Sequence, residues 1–240
     1  MALGLLELCI DARDPERLAA FWAGLLRRDV SADGRTVLPS HDTEFALRFL
    51  PSDADKDGLN QVHLHLTSDT DDQSATVARA LALGATHLDV GQRPDEGHVV
   101  LADPEGNELC VIEAGNAYLA GCGFLGELAC DGTEEVGHFW SAALGWQLVW
   151  DQDGETAIQS PAGGAKVAWG GPPVRPKTGR NRMHLHLTPV ADPGAGAPGG
   201  VEVEVARLVA LGAVRLGAGE DAGAVSLADP DGNELCVVPG

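Results

Sequence analysis

Two short segments of the chain each carry a pair of histidines separated by one residue. His63 and His65 lie in Val-His-Leu-His-Leu, and His184 and His186 lie in Met-His-Leu-His-Leu. Alternate side chains of a β-strand point to the same face, so each segment predicts two imidazoles side by side on a strand. Imidazole can transfer protons or bind metal ions. The two pairs are therefore the first candidates for a functional site.

The histidine segments belong to an internal repeat. Phe21-Trp22 recurs as Phe139-Trp140, and Leu101–Val111 recurs as Leu227–Val237 with a single change. The repeated blocks keep their order along the chain, which is typical of two homologous halves. The elements that position the histidines should therefore occur twice.

Each half has the pattern of a strand, a helix and further strands, followed by a second set of the same kind. Asp14-Pro15 is typical of a helix start, Gly84 of a helix end, and Asp103–Gly106 of a type I turn between two strands. Val201–Val209 alternates like a strand and then takes helical spacing. The predicted α+β domains span residues 1–115 and 122–240.

The charge of the chain excludes several classes of partner. It has 36 acidic residues against 16 lysines and arginines, a net charge of −20. Nucleic acids and anionic membrane surfaces attract cationic proteins, so neither is an expected partner. No apolar run reaches membrane-spanning length, and Met1–Ile10 lacks the pattern of a signal peptide. We expect a cytoplasmic protein with enough hydrophobic residues for a packed core.

The five cysteines give no sign of a disulfide framework or a structural zinc motif. Their number is odd, and no two are arranged as Cys-x-x-Cys. Reduced, buried thiols are the expected state for most of them.

Taken together, these motifs resemble the vicinal oxygen chelate superfamily. They are Phe-Trp on the first helix, a histidine-bearing strand opening the second set, and a closing Asp-Pro-x-Gly-Asn hairpin. The sequence Gly-Asn-Glu-Leu-Cys-Val resembles its glyoxalase-like branch, related to glyoxalases and bleomycin-resistance proteins. The resemblance implies tandem domains, each made of two βαβββ modules that form a half-open, eight-stranded cupped sheet around one pocket.

The resemblance also implies positions for metal ligands. Glu7 and Glu127 fall at the first-strand position, and His63 and His184 at the strand that opens the second module. Metal enzymes of the superfamily typically carry glutamate at the last-strand position, where this chain has cysteine. The implied sets are Glu7, His63 and Cys110, or Glu127, His184 and Cys236.

The cysteines make the identity of any metal an open question. Cysteine as a third ligand would shift the preference toward zinc, and neither Glu44–Leu50 nor Gly164–Trp169 offers a convincing fourth ligand. We therefore expect no cofactor, with a divalent metal (Zn, Mn, Ni or Fe) as the alternative. The same cysteine in both halves indicates that the carboxylate was lost before the duplication.

A metal-free pocket is the other interpretation. Glu7 and His63, or Glu127 and His184, would then form an acid–base pair, and His65 could form a hydrogen bond with Glu7 or Glu108. Glu108 shares a strand face with Cys110. The predicted binding residues are His65, Glu108, Cys110, His186, Glu234 and Cys236.

Other residues of the repeat are expected to have a role in folding and no role in the site. Trp22 and Trp140 lie on the core face of a predicted helix, and Asp103 and Asp229 are predicted turn-formers. The cationic loop Pro172–Arg182 is either a solvated loop or an anion-contacting lip over the second pocket.

Three hypotheses for function follow. The first is a protein of the bleomycin-resistance type that binds a cationic or amphipathic small molecule without chemistry. The second is a glyoxalase-type lyase or isomerase that uses the glutamate–histidine pairs. The third has one catalytic half and one structural half. The chain would act as a monomer with paired internal domains or as a homodimer.

Overall fold

The computed structural model describes residues 2–68, 72–93, 95–190 and 200–240. The helices in these ranges are α1 (Pro15–Leu26), α2 (Gln73–Leu83), α3 (Glu134–Leu144) and α4 (Val201–Ala210). The strands of the first half are β1 (Ala2–Ala12), β2 (Thr36–Val37), β3 (Ala46–Pro51), β4 (Val62–Leu66), β5 (Thr86–His87), β6 (Val99–Ala102) and β7 (Glu108–Val111). Those of the second half are β8 (Leu125–Cys130), β9 (Gln147–Gln152), β10 (Glu155–Gln159), β11 (Lys166–Trp169), β12 (Met183–Val190), β13 (Val214–Ala218), β14 (Val225–Ala228) and β15 (Glu234–Val237).

The element order confirms the predicted α+β class and its four repeated modules. Three modules have the complete βαβββ order: β4-α2-β5-β6-β7, β8-α3-β9-β10-β11 and β12-α4-β13-β14-β15. In the described residues of the first module only β2 and β3 follow the helix, and Val30 forms just an isolated bridge with Val37. The strands form two sheets, one of the expected eight strands and one of seven.

The helix ends follow the local signals in the sequence. Asp14 caps α1 by accepting a hydrogen bond from the backbone N–H of Arg17 at 3.1 Å, and Pro15 is the first helical residue. Gly84 ends α2 with φ of 110°, a left-handed conformation that a residue with a Cβ rarely adopts. Residues 201–210 are helical, so the helical interpretation of Val201–Val209 is the correct one.

The chain divides into two compact units that do not coincide with the two sequence halves. The first unit contains Met1–Cys9, Asp131–Pro161 and Ala168–Gly240, and the second contains Ile10–Cys130 and Ala162–Val167. The N-terminal part of β1 therefore belongs to a unit built mainly from the second half. Conversely, β8 belongs to the unit built mainly from the first half. The ranges 1–115 and 122–240 stay a prediction about the sequence repeat, and in the compact units the first strands of the two halves are exchanged.

In the first unit, strand β12 lies between β15 and β1, with the local order β13-β14-β15-β12-β1. Strands β12 and β15 are parallel, and their register places His186 beside Cys236. Strand β14 is antiparallel to β15, so Ser226 lies on the other side of Cys236. The register thus brings residues distant in sequence onto one small area of the sheet.

The second unit repeats this arrangement, with the local order β5-β6-β7-β4-β8. Its histidine strand β4 is parallel to β7 and antiparallel to β8. His65 consequently lies beside Cys110 on one neighbour and Glu127 on the other. A central strand with cysteine and glutamate on either side is common to both units.

The first helix of each half is anchored by its tryptophan. Trp22 and Trp140 are buried, which confirms their predicted place in the core. Each indole Nε1–H also donates a hydrogen bond, at 3.1 Å, to Oδ2 of the turn aspartate Asp103 or Asp229. The same aspartates close the predicted turns, where the backbone N–H groups of Gly106 and Gly232 donate to their carbonyl oxygens. In the described part of the chain, none of the helices has the length and apolar character needed to cross a membrane.

The packing of α3 on β10 leaves no room for a side chain at Gly137. A Cβ there would overlap the side chain of buried Thr156. We expect Gly137→Ala to lower the free energy of unfolding by about 1–3 kcal/mol, because the helix must move away from the sheet. Denaturant unfolding would measure this change. Gly170→Ala is the control, since a Cβ at Gly170 meets no atom within 4 Å. Equal stability of the two variants would contradict this account of the packing.

Candidate functional site

The first unit contains a buried chain of hydrogen-bonded side chains. His186 donates from Nδ1 to Oε1 of Glu7 at 3.0 Å, and the Nε2 atoms of His186 and His184 are 3.1 Å apart. Both imidazoles are essentially inaccessible to solvent. Glu7 comes from β1 and the histidines come from β12, so the chain forms only because these strands lie in one unit. A glutamate, two imidazoles and their protons are thereby held in a fixed geometry.

Two cysteines place sulfur next to this chain. Cys9 lies two residues after Glu7 on β1, with its Sγ 3.8 Å from Oε1 of Glu7. Cys9, His184 and His186 form a group whose ligand atoms all lie within 4.8 Å of one another. Cys236 lies beside His186 in the paired strands β12 and β15, and it lines the same cavity as His184. The cluster therefore presents two sulfur atoms and two imidazoles.

Two further carboxylates approach the histidines from the loop before β14. An oxygen of Glu220 lies 3.6 Å from Nε2 of His184, and an oxygen of Asp221 lies 3.9 Å from Nδ1 of His186. Glu7, His186 and Asp221 form a second group with the spacing of metal ligands. Within the described residues, Nδ1 of His184 is buried without a hydrogen-bond partner.

Burial and ionic partners oppose each other in setting the protonation of this cluster. Burial alone would lower the pKa of His184 and His186, but the sulfur atoms of Cys236 and Cys9 outweigh it and raise both pKa values. Burial would raise the pKa of the Cys236 thiol, yet the two histidines lower it to about 6. The two facing Nε2 atoms can hold one proton between them. At neutral pH we therefore expect one positive charge on the histidine pair beside a thiolate at Cys236.

The second unit holds a matching chain. His65 donates from Nδ1 to Oε2 of Glu127 at 2.7 Å, and the Nε2 atoms of His65 and His63 are 2.9 Å apart. The hydroxyl of Tyr118 donates to Oε1 of Glu127 at 2.7 Å. Burial would lower the pKa of His65, but hydrogen bonds with Cys110 and Glu127 outweigh it and raise the pKa to about 9. Both units therefore build the same carboxylate–imidazole–imidazole geometry.

The structure corrects the grouping expected from the sequence. The expected sets joined Glu7 to His63 and Cys110, and Glu127 to His184 and Cys236. The structure does bring His63 and Cys110 together, in a group with His65 whose ligand atoms lie within 4.8 Å of one another, but it moves the glutamates. Glu7 instead forms its hydrogen bond with His186, and the partner of Glu127 is His65, which had been expected to contact Glu7 or Glu108. The physical reason is the exchange of first strands, which places β1 beside β12 and β8 beside β4. The chemical roles of these residues stay predictions.

Glu108 and Glu234 act as anchors for the loop that precedes each histidine strand. Glu234 accepts hydrogen bonds from Nζ of Lys177 at 2.8 Å and from the backbone N–H of Asn181 at 3.1 Å. Glu108 has the corresponding partners in Lys56 and Asn60. These glutamates are thus engaged with the protein's own cations at the edge of each cluster.

A cavity of about 130 Å³ opens onto the cluster of the first unit. Its wall contains Arg180, His184, Ala218, Gly219, Glu220, Ser226, Glu234 and Cys236. Arg180 forms an ion pair with Glu220, and Lys177 forms one with Glu234. Arg175 is paired with Asp131 in the same way. These three cations of the loop Pro172–Arg182 therefore already have carboxylate partners, which weakens the idea of an anion-contacting lip.

Some residues of the site were not predicted from the sequence. Cys9 shares a strand face with Glu7, and the period of two could have revealed it. Tyr118 lies in the segment between the halves and belongs to no repeated block. Glu220 and Asp221 precede β14 in a loop without a motif, so only the folded structure could show that they approach the histidines.

Comparison with known structures finds the same fold in proteins of low sequence identity. Glyoxalase I from Zea mays superposes with a TM-score of 0.64 at 14% identity, over 99% of this chain and 92% of that one. A putative dioxygenase from Bacillus subtilis subsp. subtilis str. 168 superposes with a TM-score of 0.60 at 13% identity, over 98% of this chain and 84% of that one. At such identities the likeness concerns the fold.

The family follows from the sequence match. The model of the glyoxalase-like domain matches residues 7–112 and again residues 127–238. The chain belongs to the family of glyoxalase-like domains and contains two of them in tandem. No curated protein matches the chain in sequence.

The pKa of His65 tests the geometry of the carboxylate–histidine pair. In metal-depleted protein, Glu127→Gln removes the negative charge beside His65. We expect its pKa to fall from about 9 toward or below the usual value of about 6.5, because burial then acts with less opposition. An NMR titration of the imidazole resonances measures this change. Tyr118→Phe is the control, since it removes a partner of Glu127 but keeps the charge. An unchanged pKa in Glu127→Gln would show that the carboxylate does not hold the proton.

Proposed function

We propose that this protein binds a small molecule in the cavity of the first unit. The observation that carries the proposal is the position of His184 and Cys236 on the cavity wall. The same two side chains belong to the buried cluster with Glu7 and His186. A molecule in the cavity would therefore contact titratable groups whose positions are already set by the protein.

The cavity limits the size of the part of the ligand that enters it. Its volume of about 130 Å³ is close to that of an engineered protein cavity of about 150 Å³ that takes up benzene. A group of ring size, or a short branched chain, fits this space. Its wall offers the carboxylates of Glu220 and Glu234 together with the small residues Ala218 and Gly219. Because both carboxylates are already paired with cations of the protein, these features favour an amphipathic ligand whose polar end donates hydrogen bonds to the carboxylate oxygens.

The hydrogen-bonded chain favours a second candidate, a lyase or isomerase of the glyoxalase type. In this case Glu7 orients His186, and the histidine pair moves a proton at the carbon next to a carbonyl group. The proton could pass across the 3.1 Å between the two Nε2 atoms. If a divalent metal is bound by residues of this cluster, it would supply polarisation of the carbonyl oxygen.

Filling the cavity tests binding directly. Ser226 lies on the cavity wall beside Cys236, and we expect Ser226→Phe to occupy the space that the ligand needs. A thermal-shift screen of small amphipathic amines and amides should identify compounds that raise the Tm of the native protein. The shift should disappear in Ser226→Phe, with at least a tenfold loss of affinity by calorimetry.

The matched control is Val214→Phe, since Val214 is 59% exposed on the neighbouring strand β13. It adds the same ring to the same unit outside the cavity, so ligand affinity should stay unchanged. Equal affinities in the native protein and Ser226→Phe would rule out this cavity as the binding site.

Hydrogen–deuterium exchange distinguishes the enzyme from the binding protein. If the histidine pair removes a proton next to a carbonyl group, small α-hydroxy ketones should incorporate deuterium from D₂O when the protein is present. We expect His186→Gln to reduce this exchange at least a hundredfold, and His65→Gln in the second unit to leave it unchanged. NMR follows the loss of the proton signal. Binding without any exchange across a panel of such ketones would support a binding protein.

A further inference from the structure

We infer that the first unit is a zinc-type metal site in which Cys9, His184 and His186 are ligands and Glu7 orients His186 without touching the metal. The resemblance to the superfamily implies a different set, with glutamate at position 7 as a ligand. The inference concerns which atoms of this chain face the metal, and it does not depend on the identity of the small molecule.

The spacing of the two imidazoles suits a shared metal ion. Their Nε2 atoms are 3.1 Å apart. Two nitrogen ligands of a tetrahedral zinc ion, each about 2.0–2.1 Å from the metal, are about 3.3 Å apart. Cys9 places a ligand atom within 4.8 Å of both histidines. Small side-chain movements would therefore bring three donors to one centre.

The hydrogen bond to Glu7 selects which nitrogen of His186 is available. Nδ1 donates its proton to Oε1 of Glu7, so Nε2 carries the lone pair and faces His184. This is the carboxylate–histidine arrangement that commonly surrounds protein metal sites, where the carboxylate orients the ring and raises its basicity. Glu7 is committed to this hydrogen bond by its position on the neighbouring strand.

The type of donor decides the type of metal. Sulfur and imidazole favour zinc and related transition metals, whereas magnesium and manganese prefer oxygen ligands. Cys9, His184 and His186 supply one sulfur and two imidazoles, so this donor set favours zinc.

Cobalt(II) is a suitable probe because it replaces zinc in tetrahedral sites and absorbs visible light. We expect chelator-treated protein to bind cobalt with visible bands and a near-ultraviolet sulfur-to-cobalt band, and zinc but not magnesium to displace it. Cys9→Ser should reduce the sulfur band by at least half and weaken binding more than tenfold. Glu7→Gln should weaken binding by about 10–100-fold and leave the shape of the visible spectrum unchanged.

The second unit supplies matched controls. His65→Asn and Glu127→Gln change the corresponding residues there and should leave the tight site intact, whereas His184→Asn and His186→Asn should abolish it. A tight site lost only in the second-unit variants would assign the metal to the other unit and overturn the inference. A changed visible spectrum in Glu7→Gln with no change in Cys9→Ser would show that Glu7 is the ligand, with the same consequence.

A measurement on the native protein avoids any question of misfolded variants. Zinc K-edge X-ray absorption of the zinc-loaded native protein should show sulfur and imidazole neighbours around the metal. A zinc environment without sulfur would overturn the inference. Ser226→Phe, which fills the proposed ligand cavity, should still show the sulfur neighbour. Failure of the metal site and failure of small-molecule binding are therefore distinguishable.

Discussion

The hydrogen bond between a glutamate and a histidine from different halves of the sequence is the constraint on which both sites depend. Glu7 holds His186 at 3.0 Å in one unit, and Glu127 holds His65 at 2.7 Å in the other. A buried carboxylate without such a partner would be costly. The exchange of first strands between the halves supplies that partner in each unit. The same exchange determines which nitrogen of each histidine faces the rest of the cluster.

Strand register brings the cysteine of each site next to its histidines. In both units the histidine strand is parallel to the last strand of its module, and this places cysteine beside the second histidine. The arrangement needs no loop to position the reactive atoms, since side chains on strands are held by the ladder of backbone hydrogen bonds. The loop before each histidine strand is held at the site by an ion pair between a lysine of the loop and a glutamate of the last strand.

The two copies have diverged at the positions that surround this shared core. At corresponding positions of the repeat, Cys9 in the first unit is replaced by Ala129 in the second, and Ser226 corresponds to Val100. The first unit therefore has an additional sulfur and a smaller side chain at its cavity. The second unit has Tyr118 bound to its glutamate instead. These differences favour the first unit for the ligand cavity, and they favour its cluster over the group of His63, His65 and Cys110 in the second unit for the metal site.

The sequence by itself determined the repeat, the α+β modules, the helix caps, the turn aspartates and the histidine pairs, because these follow from local periodicity and backbone preferences. It also indicated Glu7 and Glu127 as members of the sites. Only the tertiary structure decided that Glu7 pairs with His186 and Glu127 with His65, and that Cys9, Glu220 and Asp221 join the first cluster. The two halves carry nearly the same motifs, so local sequence cannot distinguish pairing within a half from pairing between halves. That choice depends on which strands form neighbouring backbone hydrogen bonds in the folded chain.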